Sequence, residues 1–266
     1  MKPDLYHHGT SVCAAKVRMA LAEKGVEWNS HYVDIRVGEQ RNPEYLKLNP
    51  NGVVPTLVHG TNVVIESTVI VEYVDEVFPG PPLKPDDPMG RADMRVWTRR
   101  LDENIHMPAT ATLSFAIALR ETYLKAFDSR EALAAHIASK PNPLNRAMHR
   151  QIAELGIEAP VVRQSLELFD KLLAGMETAL ALKPWLAGET FSLADVGYSP
   201  YITRLDCLQL DWLWSDRPHV ADWYNRLKSR PTYKQAITDW LVTKEIDLMR
   251  ENGRKFRETL QHMLSE

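Results

Sequence analysis

Asn49-Pro50-Asn51-Gly52-Val53-Val54-Pro55, followed by Glu66-Ser67, is the stretch on which the reading of this chain turns. Pro55 is expected to follow a cis peptide bond, since proline lowers the penalty on the cis form. Such a bond turns the backbone of Val54 outward, where its N–H and C=O meet a peptide-like ligand. A helix opening at Ser67 offers free amide donors to a carboxylate, and Glu66 can hold an ammonium group. A ligand with a peptide backbone, a free carboxylate and a free amine close together answers all three. Glutathione does so through its γ-glutamyl end.

Upstream of this turn stand Leu5-Tyr6, Ser11, Lys16-Val17-Arg18 and Glu23-Lys24-Gly25; far downstream stands Ser192-Leu193-Ala194-Asp195. In this order the motifs resemble those of the glutathione S-transferase family, and they span most of the chain. The resemblance implies an N-terminal thioredoxin-like domain followed by an all-helical C-terminal domain. It implies glutathione as cosubstrate, a hydrophobic electrophile as acceptor, a homodimer, and a detoxification type of chemistry. Arg91-Ala92-Asp93-Met94-Arg95-Val96-Trp97-Thr98, with Glu66-Ser67-Thr68-Val69-Ile70 and Glu76-Val77-Phe78-Pro79, looks most like the bacterial glutathione-dependent β-etherases, which cleave lignin-type aryl ethers.

Local signals divide the chain in the same way. Leu5-Tyr6 reads as a short strand. Ser11 to Lys24 reads as a helix with Ala14, Val17 and Leu21 on one face and Gly25 as its stop. Trp28 to Val33 reads as a strand, and Val54 to Val58 with Val63 to Ile65 as a hairpin through His59-Gly60-Thr61-Asn62. Val69, Ile70, Tyr73, Val74 and Val77 share a helical face that ends at Phe78-Pro79. This βαβ-ββα order suits a thioredoxin-like α/β domain over residues 1–79. The proline-rich segment 80–90 is a linker, and an all-α domain is expected over 91–266. Within it, helices are expected over Gly90 to Phe127, Val161 to Leu182, Ser192 to Leu205 and His219 to Arg230. A helical C-terminus is expected to include Ile237, Leu241, Ile246, Leu248 and Met249. Ser139 to Pro160, with Pro141, Pro143, Gly156 and Pro160, reads as an irregular excursion, which also fits the β-etherase subgroup.

The balance of charge excludes some partners. A net charge of −3 gives no reason to expect nucleic acid or an anionic membrane. No segment reads as a signal peptide or a membrane span. With Cys13 and Cys207 as the two cysteines, neither a disulfide framework nor a four-ligand zinc site is available, and no metal is expected. The expectation is a protein of a reducing cytoplasm.

Glutathione chemistry requires an ionised thiol, and a free thiol has a pKa of about 8.5. Ionising it about two pH units lower takes ~2.7 kcal/mol in favour of the thiolate. A helix N-terminus supplies roughly 0.3–2 kcal/mol and a charge-assisted hydrogen bond about 1.5–3 kcal/mol. The two together suffice. Ser11, at the head of the first helix, offers the hydroxyl where the dipole acts; its bland role is to cap that helix. Thr10 is an adjacent donor, and Tyr6 stands where tyrosine-type transferases place theirs. Cys13 falls where cysteine-type members carry a nucleophile, though a lone cysteine is most often a small core side chain. Lys16-Val17-Arg18 beside Ser11 points to the serine type. His7 and His8 share the loop with Ser11 and are candidates to line the acceptor pocket, the bland alternative being solvated loop histidines.

The resemblance carries binding roles onto named positions. Val54 pairs with the cysteinyl unit, Pro55 is cis, Glu66 and Ser67 hold the γ-glutamyl end, and Gln40 and Arg41 contact the glycyl carboxylate. Val53 departs from the pattern, which places Lys or Gln there. His106, Met107, Leu113 and Phe115 are acceptor-side candidates and equally core candidates. Ser192 as N-cap with Asp195 three residues on is a capping box, with Phe191 placed as a staple. Three functions therefore stand: a Ser11-dependent transferase, a thiol-disulfide oxidoreductase using Cys13, and a non-catalytic glutathione-binding protein of the same fold.

Overall fold

Four strands, β1 (Asp4–His7), β2 (Asn29–Tyr32), β3 (Thr56–His59) and β4 (Asn62–Val64), form one sheet in the order β2-β1-β3-β4. The computed structural model describes residues 1–140 and 142–265. β1 runs parallel to β2 because α1 (Val12–Glu23) supplies the crossover between them. β3 pairs antiparallel with β1 and with β4, the latter across a turn at Gly60, whose φ is +65°. Leu5 and Leu57 face each other across β1 and β3 and are fully buried, as are Ala14, Val17 and Leu21 of α1. A short helix, α2 (Pro43–Leu48), precedes the decisive turn, and α3 (Ser67–Val77) follows it and packs against α1.

The chain divides into two compact units. The first comprises Met1–Arg99, Ala179–Ile202 and Ala221–Thr243; the second comprises Arg100–Thr178, Thr203–Val220 and Lys244–Glu266. The helices after the sheet are α4 (Pro88–Arg100), α5 (Arg120–Lys125), α6 (Arg130–Ala138), α7 (Pro143–Leu155), α8 (Pro160–Leu180), α9 (Leu193–Cys207), α10 (Pro218–Lys228), α11 (Pro231–Ala236) and α12 (Thr243–Ser265). No described helix is long and apolar enough to cross a membrane.

Two buried polar clusters hold the first unit. Asp195 is fully buried and accepts Ser192 N–H at 3.0 Å, Leu186 N–H at 3.1 Å, Trp223 Nε1–H at 2.8 Å and the Ser192 hydroxyl at 3.1 Å. Ser192 Oγ in turn accepts Ala194 N–H at 3.3 Å, so the expected capping box forms and also ties α9 to Trp223. Phe191 meets the ring of Trp185 edge-on and lies under Arg230, with the guanidinium 4.1 Å from its centroid.

The second cluster surrounds Arg18, 1% exposed. Its Nε donates to Ala236 O at 2.7 Å, and its two terminal nitrogens donate to His8 O at 3.1 Å and Gly9 O at 2.8 Å. One of them also lies 3.2 Å from His7 Nδ1, while His7 Nε2 meets Ser30 Oγ at 2.8 Å. Burial, reinforced by the Arg18 charge, pushes the His7 pKa down to about 3, and burial pulls Arg18 down to about 9.

Several sequence expectations are corrected by the structure. The excursion expected over Ser139 to Pro160 contains a four-turn helix, α7. Pro143 and Pro160 occupy first helical positions, where a missing N–H is harmless, so they start helices rather than break them. Asn142 caps α7 by accepting Leu144 and Asn145 N–H, and Gly156 at φ +64° ends it. Pro141 lies outside the described residues. Ile70 and Val74 are buried in α3 as expected, but Val69 and Val77 are 56% and 45% exposed and Val71 is buried in their place. The helix expected from Gly90 to Phe127 widens into i→i+5 turns over Leu101–Ala111 and Ser114–Leu119, where Pro108 interrupts the regular ladder. The helical C-terminus breaks at Leu241, which is extended, between a single turn at Thr238–Trp240 and α12.

Replacing Asp195 by Ala leaves four buried donors without their acceptor, each worth about 1–3 kcal/mol, whereas Ser192→Ala loses a cap worth roughly 1 kcal/mol. Urea denaturation is expected to rank Asp195→Ala well below Ser192→Ala, and equal losses would contradict the network. His7 and His149, the latter also lowered by burial to about 4, bind protons less readily folded than unfolded. Stability is therefore full above about pH 6.5 and falls as acid is added toward the folded values. His7→Asn is expected to flatten that slope by up to about 1.4 kcal/mol per pH unit, read from denaturation midpoints across a pH series.

Candidate glutathione site on the thioredoxin-like sheet

The Asn49–Pro55 turn is built by its own polar side chains. Asn49 Oδ1 accepts Asn51 N–H at 3.1 Å, and Asn49 O accepts Gly52 N–H at 3.0 Å, with Gly52 at φ +59°. Asn49 Nδ2 donates to Val53 O at 2.9 Å and to Thr56 Oγ1 at 3.1 Å. The Tyr45 phenol donates to Val53 O at 2.6 Å and meets Thr56 Oγ1 at 2.9 Å. Burial raises the Tyr45 pKa, which keeps it a neutral donor. Tyr45 and Val54 pack with Val33 in a small apolar cluster that Tyr6 and Ile35 border.

Val54–Pro55 is cis. Among the described residues, no backbone hydrogen bond takes up the Val54 N–H or C=O. An edge held rigid by Tyr45, Asn49 and Thr56 and left unpaired suits a peptide ligand, so the geometry fits the cysteinyl unit of glutathione.

Glu66 is exposed and stands at φ +67°, a conformation that a non-glycine residue rarely adopts. Its carbonyl accepts Ile70 N–H at 2.8 Å, and its carboxylate accepts Asn51 Nδ2–H at 3.3 Å. The turn and the head of α3 are thereby joined. Ser67, buried, is the first residue of α3, as expected. Lys16 Nζ donates to Thr68 Oγ1 at 3.0 Å and ties α1 to the same helix end.

Ser11 is the N-cap of α1: its backbone is extended, and its Oγ accepts Ala14 N–H at 3.3 Å. Accepting that amide leaves the hydroxyl proton to donate outward, at the positive end of a 12-residue helix. Capping and thiolate stabilisation are therefore compatible in one side chain. Thr10 is 4% exposed, so its side chain packs in the interior beside Ser11. The Cys13 thiol is half-buried, 3.8 Å from the Tyr201 phenol. Tyr6 stacks on His31 at 4.5 Å and leans against Tyr45 at 5.9 Å, a packing role. His7 and His8 are buried at 0% and 1%, so neither is a solvated loop residue.

Gln40 and Arg41 lie on a single helical turn, Glu39–Arg41, opened by Gly38 at φ +87°. A side chain at Gly52 would meet Gln40 O at 3.3 Å and Arg41 Cγ at 3.9 Å, so the absent side chain lets this turn close on the Asn49–Pro55 turn. Arg41 and Val53 are exposed. The structure thus joins Gln40 and Arg41 to the turn, and joins the turn to Glu66. Of the acceptor-side candidates, Leu113 and Phe115 are buried, Phe115 against Tyr123 and His149, while His106 and Met107 are half-buried. Sequence reasoning missed Tyr45, Asn51 and Thr56. The asparagines flanking Pro50 were a usable signal for side-chain turn bonds; nothing in the sequence pointed to Tyr45.

Comparison with known proteins agrees with this geometry. The profile for the glutathione S-transferase N-terminal domain matches residues 10–77, and that for the C-terminal domain matches residues 159–226. Protein LigF of Sphingobium sp. strain SYK-6 is 31% identical over 96% of this chain and 99% of its own length. The crystal structure of the β-etherase LigF superposes with a TM-score of 0.76, covering 89% of this chain and 98% of that one. Glutathione S-transferase TCHQD of Arabidopsis thaliana is 29% identical over 88% of this chain and 89% of its own. A tetrachloro-p-hydroquinone reductive dehalogenase of Sphingobium chlorophenolicum is 29% identical over 88% and 94% respectively. With both halves of the fold and the whole length of a relative accounted for, this chain belongs to the glutathione S-transferase family.

Proposed function

We propose that Ser11 is the group with which this transferase stabilises the glutathione thiolate, and that the acceptor is an aryl ether or a halogenated aromatic. The observation that carries the first part is the dual geometry of Ser11, an N-cap whose hydroxyl proton remains to donate at a helix N-terminus. Val54 receives the cysteinyl backbone beside Pro55, Glu66 and Ser67 hold the γ-glutamyl ammonium and carboxylate, and Gln40 with Arg41 reaches the glycyl carboxylate. The exposed Val53 adds no charge there, so the glycyl end leans on Arg41.

The acceptor class is supported by relatives named β-etherase and reductive dehalogenase. In a displacement at carbon, a carbon–sulfur bond forms as a carbon–oxygen or carbon–halogen bond breaks, and an aryl oxide or halide leaves with the electron pair. Both leaving groups ask the same of the protein: an ionised, aimed thiolate. Residues 1–79 form the glutathione-binding domain in this reading, 80–90 the linker and 91–266 the helical domain. The working form is a cytoplasmic homodimer.

Ser11→Ala is expected to raise the pKa of bound thiol by roughly one to two pH units, the worth of one charge-assisted hydrogen bond. The reading is an ultraviolet thiolate band titrated with glutathione across pH, alongside turnover of an aryl ether. Cys13→Ala should leave both unchanged; loss of turnover in Cys13→Ala with none in Ser11→Ala would instead support the thiol-disulfide route. Glu66→Gln is expected to raise KM for glutathione about tenfold or more with a smaller change in kcat, since it removes a charged ligand contact worth about 1.5–3 kcal/mol.

A further inference from the structure

A cavity of about 800 Å³ opens within the second unit, walled by α5, α6 and α7. Its apolar lining comes chiefly from Leu124, Phe127, Leu133 and Ile137. Phe127 belongs to an aromatic cluster, edge-on to Tyr123 at 5.4 Å and tilted against His136 at 4.9 Å. The charged lining is uneven: Arg120, Arg130 and Arg150 face a single acid, Glu154.

The three arginines differ in what they already hold. Arg120 donates Nε to Ile152 O at 2.7 Å and a terminal nitrogen to Ala153 O at 2.9 Å, bonds that stitch α5 to the end of α7. Arg130 and Arg150 are exposed, and among the described residues neither guanidinium makes a hydrogen bond or an ion pair. Two uncommitted guanidinium forks beside an apolar, partly aromatic recess lack their chemical complement. A fork matches a carboxylate with two parallel hydrogen bonds, and the recess asks for a flat apolar body. The volume lies in the range that encloses small organic ligands.

We propose that this cavity binds a small aromatic carboxylate, its ring against Phe127, Leu133 and Ile137 and its carboxylate between Arg130 and Arg150. None of Ser11, Gln40, Arg41, Val54, Pro55, Glu66 or Ser67 belongs to this wall, so the site is separate from the glutathione chemistry. Glu154 opposes the anion and sets the affinity by repulsion.

The test is isothermal titration of the full chain with naphthoate, and with naphthamide as the uncharged analogue. Saturable binding of one naphthoate per chain is expected, with the amide at least about tenfold weaker, as loss of a charge-assisted pair requires. Arg130→Ala with Arg150→Ala should weaken naphthoate by about tenfold or more while glutathione binding is unchanged, and Glu154→Gln should tighten it. Both arginines are exposed, so the double variant leaves the core intact, and tightening in Glu154→Gln is a gain that misfolding cannot mimic. No saturable binding, an amide as strong as the acid, or wild-type affinity in the double variant would each overturn the proposal. Displacement of naphthoate by glutathione would do the same by assigning the probe to the other site.

Discussion

A guanidinium buried at 1% exposure must be compensated, and Arg18 is compensated by carbonyls rather than by an acid. Its donors gather the backbones of His8, Gly9 and Ala236 around one side chain, so the loop that delivers Ser11 is fixed from below. Gly9 is the complement of this arrangement: a side chain there would lie 2.4 Å from Trp240 O. The aromatic rings of Trp28 and Trp240 close around His7 and keep water from the cluster. Removing any one of these partners leaves a buried charge or a buried carbonyl unsatisfied, and the low dielectric makes either costly.

Around that anchor, the N-termini of α1 and α3 are each positioned by a different device. Ser11 caps α1 with its own oxygen. Glu66 precedes α3 with a positive φ and spends no carboxylate oxygen on capping. The far ends of the same helices are joined by the buried pair of Lys24 and Asp75 at 3.2 Å, whose carboxylate also accepts Leu83 N–H at 2.8 Å. Gly80, at φ +128° and against Lys24 O, lets the chain leave α3 there. The proline-rich segment is thus pinned at its start by the helices it follows.

Legibility varied with the range of the interaction. Ser11, Gly25, the hairpin at Gly60, the start of α3 at Ser67 and the Ser192–Asp195 box were readable because capping and turn chemistry act over a few residues. Pro143 and Pro160 misled because a proline's meaning depends on whether it stands inside a helix or at its first position, and a single sequence does not say where the helix begins. Val69 and Val77 misled because a β-branched stripe on a helix names an apolar face without naming what covers it. Tyr45 was invisible: its role rests on Val53 and Thr56, which reach it only after the chain has turned.

The sequence by itself determined the family, the order of the elements, and the local caps and turns at Ser11, Gly52 and Ser67, because those depend on local backbone chemistry and on motifs in a fixed order. The tertiary structure decided which of them act together. It joined Asn51 to Glu66 and Gln40 to Gly52, withdrew Thr10, His7 and His8 into the interior, and brought Arg120, Arg130 and Arg150 of three successive helices around one apolar recess. Burial and long-range pairing make those choices, and both exist only once the chain has folded.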